Sequence, residues 1–229
     1  AQQRYGRTLQ QRNATLRRIK EGVAGLDELS LWDEGFSREG ATIVAARQRA
    51  VRRLGDLAAE AHVRLSGSAL ELLELAYEPQ LGEQWKGLLP QDATAADVQP
   101  VFAAALAAQR RRETAAGLSL VGPHRDDVAV RLNGMAAAAF GSRAQIRTAA
   151  LSLRLAEAEL LRDEGEPPVL LLDDILSEMD ESRRAAVLDG LAGFDQVWIT
   201  TTTGASLPEG FLARAHTYRV EAGTVVSAL

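Results

Sequence analysis

The residues best suited to chemistry lie at the end of an apolar run, Pro168-Val169-Leu170-Leu171-Leu172-Asp173-Asp174. Four apolar residues closing on two adjacent carboxylates read as a buried parallel strand with acid at its C-terminal tip, where open α/β sheets place their ligands. One carboxylate at such a tip can hold Mg2+, usually through water, because that ion dehydrates reluctantly. The next, on the other side of the pleat, can orient an attacking water. The competing reading is an acidic pair that caps the following helix or simply faces solvent. Ile175-Leu176-Ser177-Glu178-Met179-Asp180 follows, and Asp180 stands where a helix N-cap is expected, ahead of Glu181.

In a P-loop ATPase a strand of this kind is the Walker B element. Yet the sequence holds no G-x-x-x-x-G-K-[ST], and its two lysines, Lys20 and Lys86, lie in unrelated contexts. Three further stretches carry polar groups in suggestive order. Phe140-Gly141-Ser142-Arg143-Ala144-Gln145 precedes a long helical pattern. Ser142 can cap that helix, and its free N–H groups and dipole favour an anion, with Gln145 and the Arg143 and Arg147 charges nearby. A plain N-cap beside surface arginines satisfies the same letters. Gly122-Pro123-His124-Arg125-Asp126-Asp127 is more polar than a simple connection needs, although a lone His in a turn is as readily structural. Thr200-Thr201-Thr202-Thr203 ends a strand expected beside Asp173, so its hydroxyls can sense a γ-phosphate or merely reflect β-propensity.

The chain that must position these groups has 229 residues, 46% of them hydrophobic and 25% charged, an ordinary balance for a globular protein. It contains no cysteine, which excludes disulfides and thiolate metal sites and points to a reducing cytoplasm. No apolar run reaches the roughly 18 residues of a membrane helix. All but two of the 26 basic residues are arginines, in a chain of net charge -5. Arginine forks suit phosphate and carboxylate, but the overall charge disfavours indiscriminate nucleic-acid coating. The groups Arg17-Arg18, Arg47 to Arg53 and Arg110 to Arg112 fit solvated helix faces or a phosphate-tracking stripe. A start at Ala1 inside a helical pattern suits a fragment better than a native start.

Periodicity divides the chain into a mostly helical region, 1–116, and an α/β region, 117–229. Helices are expected over Arg4 to Lys20, from Leu26 or Ser37 to Leu65, and over Ala95 to Ala116; Ala69 to Tyr77 fits helix or strand equally. The first two helices suit an antiparallel arm, with Ile43, Val44, Leu54, Ala58, Ala61 and Leu65 in one apolar stripe. Beyond Gly117 the pattern predicts a strand over Leu118 to Val121 and a hairpin, Asp127 to Leu132 and Met135 to Phe140, turning at Asn133-Gly134. A helix from Gln145 to Glu164, the acidic strand, a helix from Glu181 to Ala192 and a strand from Gln196 to Thr200 make half of a parallel sheet. A hairpin, His216 to Val220 and Val225 to Ala228, ends the sequence.

Together these elements resemble the bacterial RecF family of ABC/SMC-like ATPases. The resemblance rests on Gln11-Arg12-Asn13, Leu31-Trp32-Asp33-Glu34, Leu120 to Asp127, Gln145-Ile146-Arg147-Thr148-Ala149-Ala150-Leu151, Val169 to Asp180 and Ile199-Thr200-Thr201-Thr202, in family order over nearly the whole chain. It implies a mixed α/β fold, the C-terminal lobe of an ABC/SMC-type P-loop ATPase head, with a mostly helical arm. The Walker A loop belongs to the family's N-terminal third. By the same resemblance Ser142 and Gln145 sit in the signature motif that touches nucleotide on the opposite protomer. Asp173 is the Mg2+-associated Walker B acid, Asp174 the water-orienting acid, Asp180 the D-loop residue and Thr202 the switch position. The signature usually has Gly before Gln, where this chain has Ala144.

The resemblance further implies ATP-driven homodimerisation with slow, DNA-dependent hydrolysis in the full-length protein and none from these residues alone. It implies binding to single-strand/double-strand DNA junctions and work with RecR and RecO to load RecA in gap repair and the SOS response. The alternative is a non-catalytic scaffold, its ATPase lobe degenerate, that recruits repair partners.

Overall fold

The computed structural model describes residues 1–82, 90, 92–165, 167–202 and 207–228; Lys86, Thr203 and Gly204 lie outside them. Two compact units form, one from residues 1–56 and 73–141, the other from 57–72 and 142–229. The long second helix thus contributes to both. The texture change after Gly117 is not where the units divide, because residues 117–141 pack with the helical residues.

In the first unit, helices α1 (Gln2–Lys20), α2 (Leu26–Ser66, up to Asp56) and α3 (Ala95–Ala116) pack side by side. The ion pairs Arg4–Glu39, Arg12–Asp33 and Arg18–Glu28 rise along α1 as they descend α2, so the two are antiparallel, as expected. Gly40 of α2 is needed for the approach of α3, since a Cβ there would lie 2.1 Å from the Phe102 ring. Tyr5, Phe36, Ile43, Phe102, Leu106 and Val121 fill the shared core.

The ambiguous stretch before the third helix becomes strand β1 (Leu73–Glu78), antiparallel to β2 (Asp127–Leu132). Strand β3 is only Met135–Ala136, paired Leu132↔Met135 across Asn133 and Gly134, both at positive φ as a type I′ turn requires. The expected strand to Phe140 instead turns into helix α4 (Ala137–Phe140), because its alanines prefer helix.

No strand forms at Leu118 to Val121 either. The Ser119 N–H donates to Asn13 Oδ1 and the Leu120 N–H to Glu113 Oε1, so side chains satisfy the donors a ladder would have used.

In the second unit, α5 (Arg143–Asp163), β4 (Leu170–Asp173), a 3-10 turn (Ile175–Glu178), α6 (Glu181–Leu191) and β5 (Val197–Thr200) follow in the expected order. Strands β4 and β5 are parallel, with Leu170↔Val197, Leu171↔Trp198, Leu172↔Ile199 and Asp173↔Thr200 in register. A short helix α7 (Glu209–Leu212) and the hairpin β6 (Thr217–Glu221) and β7 (Thr224–Ala228) complete it.

Leu172 and Ile199 face Leu151 and Leu155 of α5 and Val187, Leu188 and Leu191 of α6. On the opposite face Leu171 is 74% exposed and Trp198 52%. Among the described residues the helices cover one side of this pair. An apolar face of this kind promotes self-association. The double variant Leu171→Ser/Trp198→Ser should therefore lower light scattering of the chain in solution while leaving its helical circular dichroism unchanged.

Candidate functional site

The pleat puts Asp173 and Thr200, in-register neighbours on parallel strands, on the same face. Thr200 Oγ1 donates to Asp173 Oδ1 at 2.6 Å and accepts from the Asp174 N–H at 3.0 Å. One hydroxyl thereby fixes both consecutive acidic residues. Asp174 adopts φ +50°, ψ +22°, the left-handed region that Asp tolerates better than most residues. This reverses the chain at the strand tip and leaves both carboxylates exposed. Non-glycine residues in this region cluster where a site dictates the backbone.

The sequence pointed to the threonine cluster, and its pairing parity identifies Thr200 as the member against the acids. Thr202 lies in the exposed bend beyond β5. The exposed, hard carboxylate oxygen of Asp173 suits Mg2+ held partly through water. Among the described residues no group of three or more metal-ligating side chains converges, so a closed protein cage for a metal is absent there.

The start of α5 is a reciprocal capping box. Ser142 Oγ accepts from the Gln145 N–H at 3.3 Å, and Gln145 Oε1 accepts from the Ser142 N–H at 2.9 Å. The Gln145 amide also donates through Nε2 to Glu71 Oε2 at 2.7 Å. Glu71 in turn accepts from Nε2 of the fully buried His62 at 2.8 Å. Hydrogen bonding from Gln145 above all, helped by His62 and the Arg183 charge, holds the Glu71 carboxyl below its ordinary range. Neither His62 nor Glu71 shows in the sequence as a motif; the signal was a His on the apolar stripe of α2.

Asp180 caps α6, its Oδ1 accepting from the Arg183 N–H at 2.9 Å. The second unit thus contains every predicted site residue: Asp173 and Asp174 joined by Thr200, Ser142 joined to Gln145, Asp180 at a second cap, and Thr202 in the bend beyond β5.

The polar loop at Gly122 to Asp127 is in the first unit and serves structure. Tyr5 OH lies 2.7 Å from His124 Nδ1, while His124 Nε2 is 3.3 Å from the Ser119 carbonyl. A carbonyl only accepts, so the neutral ring carries its proton on Nε2 and the Tyr5 hydroxyl donates. Burial drives the Tyr5 phenol upward and the His124 ring downward, consistent with that neutral pair. Asp126 accepts from the Gln80 N–H, Tyr77 and Arg47. Arg47 and Arg110, two of the arginines considered for phosphate, are engaged within the unit, Arg110 by Asp33.

A parallel strand pair with paired acids at its tip, followed by a capped helix and preceded by a Ser/Gln-capped one, is the arrangement expected for the C-terminal lobe of an ABC/SMC-type ATPase head, and the likeness to solved structures supports that fold class. The comparisons define it further. No protein-family model matches the chain. The "DNA replication and repair protein RecF" of Clavibacter sepedonicus is 38% identical over 240 residues, covering 97% of this chain and 58% of the relative. Those of Rippkaea orientalis and Roseiflexus castenholzii are 36% and 40% identical, covering 97% and 96% of this chain and 60% and 56% of the relatives. Solved structures of the recombination mediator RecF with ATP and with ATPrS, in the RecFOR pathway, superpose with a TM-score of 0.77 at 30% identity. Each covers 99% of this chain and 57% of the solved one. The chain is a RecF homologue that spans somewhat more than half the length of the curated relatives it matches.

Proposed function

We propose that this chain is part of an ATP-dependent recombination mediator of the RecF kind, contributing a mostly helical arm from its first unit and the signature, Walker B and D-loop elements from its second. The observation that carries the reading is the Thr200 hydroxyl that fixes Asp173 and Asp174 together at a parallel strand tip, in the same compact unit as the Ser142–Gln145 cap. The likeness to RecF structures containing ATP supports nucleotide as the ligand.

In this reading Asp173 carries the Mg2+ contact and Asp174 orients the water that attacks the γ-phosphate. When bound, Mg2+ neutralises charge on the phosphate oxygens. Ser142 and Gln145 offer hydroxyl, amide and α5 N–H groups to nucleotide held by a second protomer, where the helix dipole favours its negative charge. Asp180 lies at the seam between protomers, and Thr202 is the switch residue. ATP thus acts as a dimerisation signal that slow hydrolysis ends. The DNA partner is a single-strand/double-strand junction, and RecR, with RecO and RecA through it, completes the gap-repair and SOS role.

Ser142→Arg in the full-length protein tests the reading. The substitution sacrifices a cap worth about 1 kcal/mol and places bulk and charge at the proposed seam. Sedimentation velocity should show no ATP-dependent dimer, while a fluorescent ATP analogue still binds the monomer. Loss of nucleotide binding itself would contradict a site acting across the seam.

A further inference from the structure

The buried His62 has no part in the chemistry described so far, yet it is tied by one intermediary to a residue that does. Ser152 Oγ donates its single proton to the Thr148 carbonyl at 2.7 Å, so its 3.2 Å contact with His62 Nδ1 requires that nitrogen to donate. On the other side of the ring, Nε2 faces Glu71 Oε1 at 2.8 Å. The remaining Glu71 oxygen takes the Gln145 amide.

This arrangement dictates which way the Gln145 amide points. The Ser142 N–H demands an acceptor, and the Glu71 carboxylate demands a donor. The carbonyl of Gln145 therefore turns to the cap and its NH2 to Glu71. Reversal would set oxygen against carboxylate and N–H against N–H, losing two hydrogen bonds at once. One Nε2 hydrogen remains beyond the Glu71 contact, and its direction is fixed by the other two bonds.

Arg183, whose backbone N–H is held by Asp180, adds its charge to the field at Glu71. Glu71 therefore faces His62 of α2, Gln145 of α5 and the charge of Arg183 on α6.

We infer that Glu71, braced by His62, is a positioning residue that presents the second Gln145 amide hydrogen to an oxygen acceptor on the nucleotide of the opposing protomer. This rests on the assignment of Ser142 and Gln145 to that contact. The signature cap would then be set by a residue outside its own motif, 74 positions upstream of Gln145.

A double-variant comparison in the full-length protein, with ATP and sedimentation velocity as the readout, tests the inference. Glu71→Ala should weaken ATP-dependent dimerisation about tenfold without changing binding of a fluorescent ATP analogue to the monomer. Gln145→Ala should weaken it similarly, and the double variant no further, because Glu71 acts through Gln145. Glu71→Gln should restore the dimer, since its amide oxygen can accept from Gln145 as the carboxylate does. Should Glu71→Ala not fold, Glu71→Asp keeps the charge beside His62 while shortening the reach to Gln145, and enters the same comparison.

Additive losses, or full dimerisation in Glu71→Ala, would overturn the positioning role while leaving the nucleotide reading intact. Dimers that persist in both Ser142→Arg and Gln145→Ala would instead remove the trans contact itself, and the inference with it.

Discussion

Replacing Arg12 by Met should destabilise the first unit by about 3–5 kcal/mol, lowering its melting temperature by about 10 °C. The Arg12 side chain is wholly inaccessible, as is that of its partner Glu113. Its Nε donates to Asp33 at 2.8 Å, one terminal nitrogen to Ser119 Oγ at 2.7 Å and the other to Glu113 at 2.6 Å, and the guanidinium lies 5.1 Å from the Phe36 ring centroid. Met fills much of the same volume and keeps the aromatic contact, but it removes the counter-charge of Glu113, whereas Asp33 retains Arg110. Glu113 suffers most, being buried and also accepting from the Leu120 N–H. Arg18→Met, six residues along the same helix, should change little: the Arg18–Glu28 pair is half-exposed, and such pairs contribute at most about 1 kcal/mol. Thermal denaturation of the two variants side by side measures the contrast.

That contrast also shows what the sequence could reveal. The spans of α1, α3, α5 and α6 were legible to within a residue or two, because apolar periodicity, Gly117 and the Ser142 and Asp180 caps mark them, as was the end of α2, whose start the pattern left open between Leu26 and Ser37. Parallel pairing of β4 with β5 was legible from the alternation of helix and strand. The acidic tip was legible from two adjacent letters. Arg12 and Arg18 look alike as letters, however, and only the partners brought by α2 and α3 decide which is buried. The missing strand at Leu118 to Val121 has the same cause, since its donors are taken by Asn13 and Glu113, each from another part of the chain. At the site, Thr200 follows from strand register, which sequence pattern does not give. Glu71 and His62 become relevant only once α2 and α5 lie together within the second unit.

Asp174→Asn in the full-length protein should reduce ATP turnover at least about 100-fold, the usual contribution of a positioned base, while ATP-driven dimers persist. Asn is the informative replacement. It tolerates the φ of +50° at this position, so the backbone turn and the Asp174 N–H bond to Thr200 survive, whereas Ala would add strain to the chemical loss. The substitution removes charge and proton affinity and leaves shape. Asp173→Asn should weaken the Mg2+ dependence of nucleotide binding instead, since that residue carries the metal contact in the proposed arrangement. Turnover is read by phosphate release and dimer population by sedimentation; unchanged turnover in Asp174→Asn would remove the assigned role.

The central claim is that the Ser142–Gln145 cap of one protomer completes the site whose acids belong to another. Mixing two full-length variants, Ser142→Arg and Asp174→Asn, tests it most directly. Each alone should hydrolyse ATP at background rate, the first because neither signature can engage, the second because neither acid can orient water. In the mixed dimer one composite site joins the intact acids of the Ser142→Arg protomer to the intact cap of the Asp174→Asn protomer. Phosphate release should therefore recover on mixing, toward the activity of a single site per dimer. A mixture as inactive as its parts, or a Ser142→Arg protein that turns over ATP alone, would contradict it.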